Sequence, residues 1–244
     1  MDVQRYLERR QLQNEQQPKY RELCMVCIQP KFSCYCEHIQ KFDPHIDFVV
    51  LIHPIEVHRR IATGRMSHLT LQNSHLIMGQ DYTESSEVNR LLEDPSRHCV
   101  MLYPGRTSRN LTPMNDQERT ELFPHGKRLT IFVIDGTWAT ARRTVRQSKN
   151  LHAIPRICFA PEKPSTFRVR KQPHAACYST IEAIHHTIEL LGKSQGFDTA
   201  SREHDKLLYV FDKMVERQLE FIKLSENKPG HLRYRRDRKK LASA

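Results

Sequence analysis

Leu129-Thr130-Ile131-Phe132-Val133-Ile134-Asp135-Gly136-Thr137-Trp138 contains a complete strand-to-helix transition. From Leu129 to Ile134 the side chains are β-branched, aromatic or aliphatic, the composition of a strand buried on both faces. Asp135-Gly136 stops that run. Thr137 to Lys149 then has helical composition. Working upstream, the apolar run Phe48-Val49-Val50-Leu51-Ile52, within residues 45–53 and bounded by Pro54, reads as a second buried strand. Residues 58–71 are helical or mixed, and residues 73–78 hold another short apolar run. Residues 97–103 read as a strand stopped by Pro104-Gly105. Downstream, residues 154–159 are strand-like, and two helices close the pattern. The first has Ser179 or Thr180 as N-cap and Glu182 in its first turn, with Ile181, Ile184, Ile188 and Leu191 on one side. The second spans roughly residues 204–224, with Leu207, Phe211, Val215 and Leu219 in its apolar stripe. Strands alternating with helices predict an α/β domain with a mostly parallel sheet and flanking helices.

The chain has 244 residues, 38% of them hydrophobic. Its apolar runs are too short to span a bilayer, so no membrane is expected. Met1-Asp2-Val3-Gln4-Arg5 lacks the apolar stretch of a secretory signal, so a cytoplasmic location is expected. With eight glycines, no Gly-x-Gly-x-x-Gly and no Walker loop, dinucleotide and nucleoside-triphosphate sites of those types are excluded. A net charge of +11 favours a polyanionic partner. Six basic residues against one acid between His231 and Ala244 read as a basic tail suited to RNA. The organisation expected is an N-terminal arm and cysteine module over 1–44, a catalytic domain over 45–230 and the tail over 231–244.

Cys24-x2-Cys27 followed by Cys34-x-Cys36 supplies the four thiolates of a closed tetrahedral zinc shell. The residues between the pairs are long enough to turn the chain so that both face one ion. An iron–sulfur cluster is the rival, since soft thiolates suit both. A segment with so little core needs such a staple, and structural zinc contributes folding energy directly.

In parallel α/β sheets ligands sit beyond the carboxyl ends of strands. That rule selects Tyr103-Pro104-Gly105, Asp135-Gly136-Thr137-Trp138 and the segment from Phe167 to Thr180. These residues resemble a known set. Asp135-Gly136-Thr137-Trp138-Ala139-Thr140-Ala141 resembles the Asp-x-Thr-Trp-x-x-Ala signature of the DTW-domain proteins. His53-Pro54-x-Glu56, Thr63-Gly64-Arg65, Tyr103-Pro104-Gly105 and Arg170-Lys171-Gln172-Pro173…Ser179-Thr180-x-Glu182-Ala183 resemble its other segments, in the same order, and the cysteine cluster stands where bacterial members carry theirs.

The resemblance implies a tRNA-uridine aminocarboxypropyltransferase. Such an enzyme moves the 3-amino-3-carboxypropyl group of S-adenosylmethionine to N3 of a uridine, in bacterial members within the tRNA variable loop. It also implies a knotted, SPOUT-like fold. On this reading Asp135, Thr137 and Trp138 are the catalytic candidates: Asp135 as base or as orienter of the uracil, and Trp138 as a stacking surface. Leu102, Tyr103, Pro104, Gly105, Asp135, Gly136, Arg170, Lys171, Ser179 and Thr180 are the candidate S-adenosylmethionine contacts. His53, Glu56, Arg59, Arg60, Arg65, Arg142, Arg143 and Arg146 are the candidate RNA contacts. Each has a plainer reading as cap, turn, core aromatic or solvated charge. A monomer is expected, because the zinc module can replace a second subunit in gripping tRNA. The competing functions are a SPOUT-type tRNA methyltransferase and a non-catalytic zinc-containing RNA-binding protein.

Overall fold

The computed structural model describes residue 4 and residues 22–57, 61–169 and 177–226. Its centre is a six-stranded sheet in which every pairing is parallel. The strands are β1 (Asp47–Ile52), β2 (Ser74–Met78), β3 (Arg97–Leu102), β4 (Arg109–Asn110), β5 (Arg128–Asp135) and β6 (Arg156–Cys158), in the order β2-β1-β5-β3-β6-β4. The helices are α1 (Pro54–Val57), α2 (Thr63–Thr70), α3 (Ser86–Glu93), α4 (Asp116–Glu121), α5 (Trp138–Gln147), α6 (Thr180–Leu191) and α7 (Asp205–Glu226). The expected α/β class, its parallel sheet and the strands read from the sequence are all present. α3, α4 and the two-residue β4 were not anticipated. Their segments are short and polar, and local caps define the helices instead: Ser85 at α3, and an Asn115–Glu118 capping box at α4.

β1 is buried at every position, and its side chains divide by alternation between two cores. Phe48 and Val50, with Ile131 and Val133 of β5, face α6 and α7. Val49 and Leu51, with Phe132, face Val88, Leu91 and Val145 of α3 and α5. Cys27, Tyr35 and Phe42 belong to the first of these cores. The cysteine segment is therefore packed against the sheet domain, and Phe32 meets Phe221 of α7 edge-on at 5.1 Å. Among the described residues no helix is long and apolar enough to cross a membrane.

At the amino ends of the strands, Asp47 is clasped by Arg97 and Arg128, and Arg128 also reaches Asp43. A second cluster joins α6 to the start of α7. His185 bonds Asp205 and His204 bonds Glu189, each at 2.8 Å, and the Arg202 guanidinium bonds both carboxylates. That cluster carries its own cation.

Candidate active site and metal centre

β1 leads to β2 on one side of the sheet, and β5 leads to β6 on the other. The chain direction thus diverges between the neighbouring strands β1 and β5, and in open parallel sheets such a switch point is where a ligand crevice forms beyond the carboxyl ends. Ile52 and Asp135 are register partners there, and the His53 N–H donates to the Asp135 carbonyl at 3.2 Å. The Asp135 side chain is buried, at 4% exposure, and its Oδ1 accepts the Thr180 hydroxyl at 2.5 Å. A Cβ placed on Gly64 would stand 2.6 Å from Asp135 Oδ2, so only glycine lets α2 approach this closely. The carboxylate therefore lies where the first turns of α2 and α6 converge, and helix N-termini favour an anionic group.

Thr137 is the N-cap of α5 and accepts from the Thr140 N–H at 3.2 Å. A Cβ on Gly136 would meet Thr140 Oγ1 at 2.5 Å, so the glycine makes room for that cap. Trp138 is 42% exposed, 6.4 Å from the Tyr103 ring. Tyr103 lies under the Arg156 guanidinium, 5.6 Å away. Burial pushes the Tyr103 phenol up, against the opposing charges of Arg142 and Arg156. Leu102 is half-buried, while Pro104 and Gly105 form an exposed turn whose Ser108 hydroxyl donates back to the Tyr103 carbonyl at 2.7 Å.

The remaining sequence candidates divide. Arg142, Arg143 and Arg146 are exposed on α5, as an RNA-facing surface requires. His53 and Glu56 are buried, behind the surface rather than on it. Arg65 is half-buried on α2, where its charge acts on Tyr35 and His68. The Ser179 amide and hydroxyl both donate to Glu182, at 2.8 and 2.6 Å. Arg59, Arg60, Arg170 and Lys171, and the tail over 231–244, lie outside the described residues.

Two contributors, Tyr82 and Arg156, escaped the sequence reading, and a third, Glu182, was read there without its contacts. The buried Tyr82 hydroxyl lies within hydrogen-bond distance of the carbonyls of Ile52, Ile77 and Gly79, which ties β1 to β2 at the crevice. Glu182 also accepts from Ser165 and from the Thr166 N–H, fixing the segment before α6. Arg156 roofs Tyr103. Glu182 stands in the resembling motif, so its presence was visible; the other two had no local signal.

The four cysteines converge as their spacing predicts. Cys24 and Cys36 sulfurs are 3.7 Å apart, those of Cys27 and Cys34 are 3.6 Å apart, and all four sulfurs lie within 4.8 Å of one another. Zinc–sulfur bonds of about 2.3 Å in a tetrahedron imply sulfur–sulfur edges of about 3.8 Å, so the cluster fits a tetrahedral ion. Ile28 adopts a left-handed φ of 60°, unusual for a β-branched residue, and its N–H returns to the Cys24 carbonyl at 2.9 Å. That turn brings Cys24 and Cys27 to the same side. The N–H groups of Cys27 and Val26 pull the Cys24 thiol down to about 6, whereas burial pushes Cys27 and Cys36 up.

The model of the DTW domain matches residues 21–219. A protein of Drosophila melanogaster named tRNA-uridine aminocarboxypropyltransferase 2 is 26% identical over 185 residues, covering 71% of this chain and 68% of the relative. Proteins of the same name from Macaca fascicularis and Mus musculus are 23% and 22% identical, over 72% and 70% of this chain. The chain spans 58% and 57% of the length of those two relatives. No solved structure matches. The matched span takes in the cysteine cluster, the β1–β5 crevice and the Trp138 turn together, and the chain belongs to the DTW domain family.

Proposed function

We propose that this protein transfers the 3-amino-3-carboxypropyl group of S-adenosylmethionine to N3 of a tRNA uridine, in the variable loop. The observation that carries the reading is the end of β5, where the buried Asp135 is followed by the exposed Trp138, paired with the half-buried Tyr103, within a matched DTW domain. Relatives that share the domain bear the corresponding name. When bound, the cosubstrate supplies a sulfonium that activates the methionine Cγ. Uridine N3 forms a bond to that carbon, the sulfur–Cγ bond breaks with its electron pair retained on sulfur as methylthioadenosine, and the N3 proton passes to water. The electrophile is already activated, so the protein's main task is positioning.

The residues present suit that task. Tyr103 and Trp138 offer flat faces for the adenine and the target base. Leu102, Pro104, Gly105 and Gly136 expose backbone at the strand ends, where a ligand can approach closely. Burial of Asp135 and its bond to Thr180 support a part in orienting the pocket rather than in abstracting the N3 proton. Thr137 sets the start of α5 and so the aim of Trp138. Arg142, Arg143 and Arg146 would take tRNA phosphates, while His53 and Glu56 support the crevice from behind.

The sulfur geometry supports structural zinc at Cys24, Cys27, Cys34 and Cys36, where the ion would tie the N-terminal segment to the domain. Four closely spaced thiols suit a reducing compartment, and a cytoplasmic monomer divided at residues 44 and 230 completes the reading. A knotted, SPOUT-like path belongs to the same proposal, supported by the insertion of β5 between the earlier strands β1 and β3.

The test is incubation with tRNA and S-adenosylmethionine, followed by nucleoside mass spectrometry. The expected products are 3-(3-amino-3-carboxypropyl)uridine and methylthioadenosine. Methylated uridine with S-adenosylhomocysteine would make the protein a methyltransferase. Calorimetry without S-adenosylmethionine binding would make it a binding protein.

A further inference from the structure

A cleft of about 460 Å³ opens along the edge of β3, apart from the crevice beyond β1 and β5. It exists because β6 is short. On β3 it pairs only with Met101 and Leu102, which leaves Arg97 to Val100 without a strand neighbour on that side among the described residues. The floor is apolar and includes Phe123 and Ile157, and the polar walls are His98, Arg109, His152 and Arg156. Among the described residues no carboxylate lines it.

The arginines of the cleft differ from those that hold the scaffold together. Arg97, Arg128, Arg202 and Arg217 are each ion-paired. Arg109 and Arg156 have no carboxylate partner among the described residues. The exposed Arg109 extends from the two-residue β4. Arg156 covers the Tyr103 ring, and its Nη1 is 3.6 Å from the point where a Cβ on Gly105 would stand. One guanidinium therefore borders both the cleft and the Tyr103–Trp138 surface. His152 is fixed by a 2.7 Å bond from Nε2 to the Val145 carbonyl. The His98 ring packs on Phe123 at 5.7 Å, where burial and the charge of Lys127 push its pKa down.

We propose that this cleft is a second RNA subsite, which takes one phosphate–ribose unit of tRNA next to the modified uridine, with Arg109 and Arg156 on the phosphate. The inference rests on tRNA being the substrate. Uncompensated arginines above an apolar floor suit a nucleotide, whose charge and ribose–base body are separate. The volume falls within the range of about 300–1,000 Å³ of small-ligand pockets. Phosphate contacts of this kind fix register without reading sequence. A strand stacked on Trp138 would pass beneath Arg156 and enter the cleft.

The experiment uses the full chain with Arg109→Ala, Arg109→Glu and, as a charge-matched control on the exposed face of α3, Arg90→Glu. tRNA affinity is measured across a salt series, and S-adenosylmethionine affinity by calorimetry. Arg109→Ala is expected to weaken tRNA binding roughly 3- to 10-fold and to reduce the salt slope by about one. Arg109→Glu should weaken it further. Arg90→Glu should have a distinctly smaller effect, and cosubstrate affinity should be unchanged in all three. Unchanged tRNA affinity and slope in Arg109→Glu, or an equal loss in Arg90→Glu, would overturn the proposal. A selective loss of S-adenosylmethionine affinity would assign the cleft to the cosubstrate and also overturn it. Failure of the wild-type protein itself to bind tRNA would bring down the functional reading, an outcome distinct from failure of the cleft alone.

Discussion

At the amino end of β5, Arg128 and Arg97 converge on Asp47, with Asp43 alongside, so each charge there has a partner of opposite sign. At the carboxyl end of the same strand, a neutral hydroxyl is among the partners of Asp135, and the nearby cations Arg142 and Arg156 have no carboxylate partner among the described residues. Both ends belong to one rigid sheet and draw on the same residue types. They differ in how their cations are balanced: Arg97 and Arg128 are paired within the fold at the amino end, whereas Arg142 and Arg156 near the carboxyl end face no carboxylate among the described residues. Charge compensation, more than charge itself, separates the scaffold from the site.

The largest effect should come from breaking the satisfied end. Arg97→Ala combined with Arg128→Ala strands the buried Asp47 carboxylate, and removing the partners of a buried charge costs about 3–5 kcal/mol. A thermal or urea melt should register that loss; a shift below about 1 kcal/mol would mean that the clasp is not structural. At the other end, Asp135→Ala is expected to lower transfer by about 100-fold or more, the scale of a lost positioning contact. Full activity would remove Asp135 from the mechanism. Gly64→Ala drives a methyl group into Asp135 and Val50, an overpacking cost of about 1–3 kcal/mol, and transfer should fall with stability. Trp138→Ala is expected to cost about 1–3 kcal/mol in binding tRNA or cosubstrate while leaving the melting temperature in place, because the side chain is exposed. A fall in melting temperature without loss of binding would place Trp138 with the scaffold. Arg146→Ala should have the smallest effect: a salt slope for tRNA lower by about one, and stability within about 0.5 kcal/mol.

The satisfied end was the less legible of the two in the sequence. Asp47, Arg97 and Arg128 are far apart along the chain and meet only because β1, β5 and β3 are neighbours, and no local pattern encodes that order. The strands themselves were readable because parallel strands buried on both faces show as unbroken apolar runs, as at Phe48 to Ile52 and Leu129 to Ile134. The ends of α5 and α6 were readable from Thr137 and Ser179, since capping is a local matter. The cysteine cluster was readable because its spacing is short. Tyr82 and Arg156 act across strands, and only the fold brings them to the site.

The position of β5 between β1 and β3 also constrains the order of folding. Its partner β1 lies about eighty residues earlier in the chain, so the central pairing closes a long loop. During synthesis β1, β2 and β3 emerge without the strand that joins them, and their edges wait for residues 128–135. Parallel pairing over such separations is slow and leaves unpaired edges exposed in the meantime. Asp135, the last residue of β5, would thus reach its place only as the sheet closes, and the crevice would be among the final parts of the molecule to form. A nascent chain truncated before β5 should be trapped by proteases or chaperones, whereas one extended past it should resist them.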